Sequence, residues 1–166
     1  MNIRLSSFLL LACLTLLFSM PGTMSESGGP DSFGYTFKDS DEIEVVYDWI
    51  EIKDSGTSVW TNDEFPDDNV VGPYDIGFTF HYYGNYYSHF WVGGENGWLS
   101  LVNPGVISAS NPSPIPTEVI PRPLISPFWY DWQVCGGDSG IYYELEEVAS
   151  NQVLILQFEQ LRPDSD

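Results

Sequence analysis

Gly, Pro, Asn and Asp recur so densely along this chain that no window of ten or more residues keeps a helical period. Such a chain folds into short strands and turns. The clearest alternation places Ile76, Phe78, Phe80 and Tyr82 on one face of a strand and Asp75, Gly77, Thr79 and His81 on the other. Phe90 and Val92 repeat the pattern; Gly93-Gly94-Glu95-Asn96-Gly97 then turns the chain, and Leu99 and Leu101 return on the same face, which predicts a hairpin. Further strands are expected over residues 33–38, 45–52, 124–132, 140–146 and 152–159. The last is apolar on both faces and is expected at the centre of a sheet. About eight such strands predict an all-β fold, a two-sheet antiparallel β-sandwich.

The stretch from Asn103 to Pro123 holds Pro104, Pro112, Pro114, Pro116, Pro121 and Pro123. Proline lacks the amide donor that a central strand needs, so this stretch is expected to be a stiff surface connection, either functional or a crossover between sheets. No internal repeat and no dividing linker interrupts the rest, so one domain is the economical organisation.

The N-terminus sets the compartment. Arg4 precedes an uncharged, leucine-rich run from Leu5 to Phe18, followed by Ser19, Pro21 and Gly22. This is the pattern of a secretory signal peptide, and the run falls short of the roughly 20 apolar residues that cross a bilayer. Residues 1–25 are therefore expected to be removed, leaving a mature domain over residues 26–166 that is secreted or held at the cell surface, with no membrane insertion. Cys13 departs with the signal and Cys135 remains alone, so stability must come from packing, with or without a metal.

The chain has 24 acidic and 5 basic residues, a net charge of -19. Losing Arg4 with the signal leaves 4 basic residues and a net of -20. A surface of this sign repels nucleic acid and acidic membranes. It draws cations, salt or basic partners. One acidic turn contains Asp39, Asp41 and Glu42; a second contains Asp63, Glu64, Asp67, Asp68 and Asn69. Carboxylates in loops between strands, completed by backbone carbonyls, are ligands of the kind Ca2+ takes, so Asp39, Asp41, Glu42, Asp63, Asp67 and Asp68 are the candidate metal ligands. The EF-hand spacing is absent, and a solvated acidic loop is the alternative.

Six Trp residues are many for this length, and indole faces stack on sugar rings; Trp60, Trp91 and Trp98, with Trp129, are candidate ligand-binding residues. Against that, a sandwich without a disulfide also needs large side chains in its core. Catalytic constellations are weaker. Gly137-Asp138-Ser139-Gly140 matches the phrase around a serine-protease nucleophile, yet His81 and His89 lack the expected context, and a glycine-rich turn explains the phrase. Asp131 and Glu144 are one of many carboxylate pairs that a glycosidase could use. His81 and His89 fall on the solvent side of their strands. No catalytic residue is expected, and no N-glycosylation, since Asn111-Pro112-Ser113 is barred by its proline.

Three phrases together resemble nidogen-like (NIDO-type) extracellular domains. These are Asn96-Gly97 before a strand, Ile125-Ser126-Pro127-Phe128-Trp129-Tyr130-Asp131 after a Pro-rich link, with Ser126 where Ala is usual, and Gly140 to Tyr143. The opening from Gly28-Gly29-Pro30-Asp31-Ser32-Phe33-Gly34-Tyr35 to Tyr47-Asp48-Trp49 looks like modules of exported microbial surface proteins. Such domains usually continue beyond the strand at Val153 to Phe158, so the resemblance implies a sandwich lacking its last strands. It implies a secreted, non-catalytic adhesion or interaction module whose partner is an extracellular protein or a glycan. No cofactor is fixed by the residues, and Ca2+ is the candidate. A carbohydrate-binding accessory module is the alternative function.

Overall fold

The computed structural model describes residues 26–61, 69–105, 112 and 122–164. The expected signal peptide over 1–25, the second acidic turn with Asp63, Asp67 and Asp68, and most of the Pro-rich link lie outside them. The chain divides into two compact units, one ending at Asp48 and one beginning at Trp49.

In the first unit β1 (Ser27–Gly28) pairs antiparallel with β2 (Phe37–Lys38). The strand expected over 33–38 is reduced to its last two residues. Asp31 is the reason: its Oδ1 accepts the amides of Phe33 at 2.8 Å and Tyr35 at 3.0 Å, holding residues 31–35 in a side-chain-capped turn.

The second unit holds β3 (Thr57–Thr61), β4 (Val70–Tyr82), β5 (Asn85–Gly93), β6 (Trp98–Ser100), β7 (Leu124–Ile125), β8 (Trp132–Gln133), β9 (Gly140–Val148), β10 (Asn151–Glu159) and β11 (Arg162–Pro163). One sheet has the order β10-β9-β3, another β4-β5-β6-β7, and β8 pairs with β11 in a short ribbon. All pairings are antiparallel. Val59, Trp60 and Ile141 from the three-stranded sheet share one core with Val71, Ile76, Phe90 and Val92 from the four-stranded sheet. Tyr143 of β9 reaches Tyr74 of β4 and Phe90 of β5, with ring centroids 5.3 Å and 5.4 Å apart. Side chains of two sheets that interdigitate in this way make a β-sandwich. The expected face of β4 is the inner one: Ile76 is buried and Phe78, Phe80 and Tyr82 are half-buried, whereas Asp75, Gly77, Thr79 and His81 are exposed.

The expected hairpin is present. Val92 sits opposite Leu99, and a 3-10 turn at Gly94–Asn96 joins β5 to β6.

Four expectations are corrected. Residues 45–52 form no strand, although Val45 to Ile52 are largely β-branched and aromatic. The stretch 124–132 contributes only β7 and the first residue of β8, because Pro127 interrupts the ladder; Phe128 instead lies against Gly97. β10 lies at the edge of its sheet, with β9 at the centre. Its second apolar face is half-covered by a loop, not by a further strand. The strands on either side of the Pro-rich link, β6 and β7, are neighbours in one sheet, not members of two, and at its described ends the Leu101 amide donates to the Pro123 carbonyl at 3.3 Å. Three strands have no counterpart in the expectations: β1 and β11, each two residues long, and β3, whose five residues lie between Gly56 and the acidic turn and show too short an alternation.

Candidate functional site

Two of the three phrases that carry the resemblance, Asn96-Gly97 and Ile125 to Asp131, meet through Gly97 and Phe128. Gly97 adopts a left-handed conformation with φ at 67°, and a Cβ there would stand 2.5 Å from the Phe128 carbonyl oxygen, so the turn accepts glycine and little else. Phe128 packs edge-on against Phe158, centroids 4.8 Å apart, and its carbonyl also accepts the Trp132 indole N–H at 2.9 Å. Glu95, only 5% exposed, accepts the Val134 amide at 2.9 Å. This buried carboxylate satisfies the backbone donor that leaves β8, which is a bracing role. Asp131 ends its phrase as a second brace: its carbonyl accepts the Asp164 amide at 2.9 Å, beside the ribbon of β8 and β11. The joint is a structural lock.

The first acidic turn is organised by backbone hydrogen bonds. Asp39 Oδ2 accepts the Glu26 amide at 2.7 Å and Oδ1 accepts the Asp41 amide at 3.1 Å, and the Asp39 carbonyl accepts the Glu42 amide at 3.3 Å. Among the described residues no group of three or more His, Cys, Asp and Glu side chains gathers as a metal centre would require. Asp63, Asp67 and Asp68 lie outside those residues.

The tryptophans are placed differently from a sugar platform. Trp60 and Trp98 are fully buried, and Trp91 is half-buried, so Trp60 and Trp98 present no face to a ring in solution. Exposed apolar side chains occur in both units: Phe33, Phe37, Ile43, Val46 and Tyr47 in the first, with Ile43 at 99% and Tyr47 at 77%, and Trp49, Tyr86, Tyr130, Leu145 and Val148 among those of the second, with Tyr86 at 73%.

A strap crosses the outer face of the three-stranded sheet. Alternation puts Ile141 and Tyr143 in the core and therefore Tyr142 and Glu144 on the opposite face, with Gln157 and Ile155 beside them on β10. There Gln157 Oε1 accepts the Ile52 amide at 2.8 Å, and Glu144 Oε2 accepts the Ser55 hydroxyl at 2.5 Å. Ile52 is buried in this second layer, apart from the main core. Glu51 ties the strap down: it accepts from Gln157 Nε2 at 2.5 Å, from the Lys53 amide at 2.9 Å and from the Trp49 indole at 3.2 Å. These hydrogen bonds, that of Gln157 foremost, hold the Glu51 carboxyl below the usual carboxylate range. Nothing in the spacing of residues 49–56 and 157 announces this contact, although one Gln inside the apolar run from Val153 to Phe158 is a signal of it.

Ser139 is buried beneath the Gly136–Ser139 turn that feeds β9, and its amide donates to the Gly136 carbonyl at 3.2 Å. Glu144 is engaged by Ser55, Cys135 is a half-buried free thiol, and His81 and His89 are exposed, His89 Nδ1 lying 2.8 Å from Ser88 Oγ. No helix among the described residues is long and apolar enough to cross a membrane, which leaves β-barrels unaddressed.

A family model described as NIDO related matches residues 34–166. No curated protein and no solved structure gives a significant match.

Proposed function

Because the chain belongs to the NIDO-related family, which points to an extracellular module, we propose that it is a secreted, non-catalytic adhesion or interaction module. The observation that supports adhesion is the set of apolar side chains exposed between Phe33 and Tyr47, amid Asp39, Asp41, Glu42 and Glu44. Apolar groups rimmed by charge are the usual composition of a protein-binding patch. The strong negative charge selects a basic or neutral extracellular partner over nucleic acid or an anionic membrane. Ca2+ bracing of the acidic turns belongs to the same proposal, and thermal unfolding with calcium and with a chelator tests it. A transition that rises with calcium supports bracing, and an unchanged one removes it.

The adhesion proposal is tested in two steps. The full chain is expressed and found in the medium or on the cell surface, with its N-terminus near Glu26. Beads coated with the secreted protein then bind the cells that produce it, and a Val46→Ser, Tyr47→Ser variant loses that binding. Retention inside the cell overturns the extracellular part. Binding indifferent to the variant, or absent with wild-type protein, overturns the adhesive part.

A further inference from the structure

We propose that the open end of the sandwich carries a cleft that accepts the side chain of a lysine from a partner protein. The cleft encloses about 210 Å³ and is lined by Gly77 and Phe78 of β4 and by Leu145, Glu147, Gln152 and Val153 of the β9–β10 hairpin, with Glu146 completing the wall.

Its shape begins with an irregularity in β4. Asp75 pairs with His89 and Phe80 with Tyr87, so four residues of β4 oppose a single residue of β5. The extra chain forms a large bulge, held by a hydrogen bond from the Gly77 amide to Asp75 Oδ1 at 2.8 Å. The bulge pushes Gly77, at φ 79°, towards the opposite sheet until a Cβ there would collide with Leu145. The sheets are in contact at that point, and the cleft is the space beside it.

Its chemistry follows from the register of the hairpin. The inner row of β9 runs Ile141, Tyr143, Leu145, Glu147, and the cross-strand partners on β10 run Phe158, Leu156, Leu154, Gln152. Three apolar pairs are succeeded by a carboxylate and an amide where the cleft opens. Glu147 lies two residues beyond Leu145, roughly 6.6 Å along a strand. That distance suits the four-carbon stem of lysine, which lays its methylenes on apolar surface and keeps its ammonium at a polar edge. Phe78 and Leu145, the latter 46% exposed, supply the apolar surface. The volume falls below the roughly 300–1,000 Å³ of pockets that enclose whole small-molecule ligands, so one side chain is the fitting occupant.

The lysine must come from another protein. This chain has two, and Lys38 is paired with Glu44 while Lys53 is paired with Asp138 at 3.5 Å. A second copy of the mature chain would also bring its own strong negative charge to the contact. The site rests on the proposal of an interaction module only in taking the amine to be a protein side chain.

The test uses the mature chain and two small probes, Nα-acetyl-lysine methylamide and its norleucine counterpart, titrated to millimolar concentration and followed by amide NMR shifts. The lysine probe is expected to shift Gly77, Leu145, Glu147 and Gln152 selectively, with norleucine binding more weakly. Glu147→Gln is expected to weaken lysine binding about two- to fivefold, the range of an exposed ion pair, and Asp54→Asn, at an exposed carboxylate away from the cleft, to leave it unchanged. Shifts spread over the whole acidic surface, equal binding of norleucine, or indifference to Glu147→Gln each overturn the site. Such a failure leaves the module itself standing, because the bead assay reads adhesion through Val46 and Tyr47.

Discussion

The two units of this protein solve the same problem by different means. Among the described residues up to Asp48 none is buried, and the chain is held by carboxylates that cap turns, Asp31 on Phe33 and Tyr35, Asp39 on Glu26 and Asp41. From Trp49 onward, long antiparallel ladders close on a core of Trp60, Phe90, Val92 and Ile141, all fully buried. Local hydrogen bonds set conformation in the first unit; exclusion of apolar surface from water sets it in the second. Each capping bond contributes about 1 kcal/mol, whereas a buried aromatic contributes several, so the units should differ in how far one substitution reaches.

The largest expected effect is in the core. Trp60→Ala or Phe90→Ala is expected to cost about 3–5 kcal/mol in urea unfolding, while Tyr47→Ala stays within about 0.5 kcal/mol. Equal costs would erase the contrast between the units. Next comes the joint, where Gly97→Ala forces a Cβ into left-handed backbone against the Phe128 carbonyl. A loss of about 1–3 kcal/mol is expected, with the Trp132 indole resonance displaced as its acceptor moves. An unperturbed Trp132 would separate the turn from the aromatic phrase.

Smaller still is Asp39→Ala. About 1 kcal/mol of local order is expected to be lost, seen as faster amide exchange at Glu26 and Asp41, with the midpoint of sandwich unfolding unchanged. Movement of that midpoint would show that the two units do not respond separately.

The smallest effect concerns the strap. The folded-state pKa of Glu51 is lowered from 4.5, with Gln157 the first cause and the Lys53 amide and Trp49 next. A depressed carboxyl contributes stability above its unfolded pKa and loses it as pH falls through the folded value. Amide exchange at Ile52 and Lys53 should therefore quicken on acidification below about pH 4.5, and Glu51→Gln should flatten that dependence. A wild-type profile that stays flat breaks the link between Glu51 and the strap.

Much of this architecture was legible in the residues. The alternation from Asp75 to Tyr82 named the inner face correctly, and the glycines at 93, 94 and 97 placed the hairpin. The phrases at 96–97, 125–131 and 140–143 carried the family resemblance. Residues 45–52 misled and show the limit of composition: apolar, β-branched content does not by itself provide a strand partner, and Ile52 is buried as part of a loop whose amide donates to Gln157 of β10. β10 misled in the opposite direction: a strand apolar on both faces can lie at the edge when a loop covers its outer side. The cleft had no sequence signal at all. Gly77 and Leu145 are 68 positions apart, and only the bulge brings them together.

By itself the sequence determined period and punctuation, and with them strands, turns, charge and the family, because these depend on neighbours a few residues away. Which strand is central, which Trp is hidden, what Asp39 and Glu95 hold and where the sandwich stays open were decided by tertiary structure alone. Those outcomes depend on long-range pairing and on competition among apolar groups for one limited core, which no local pattern encodes.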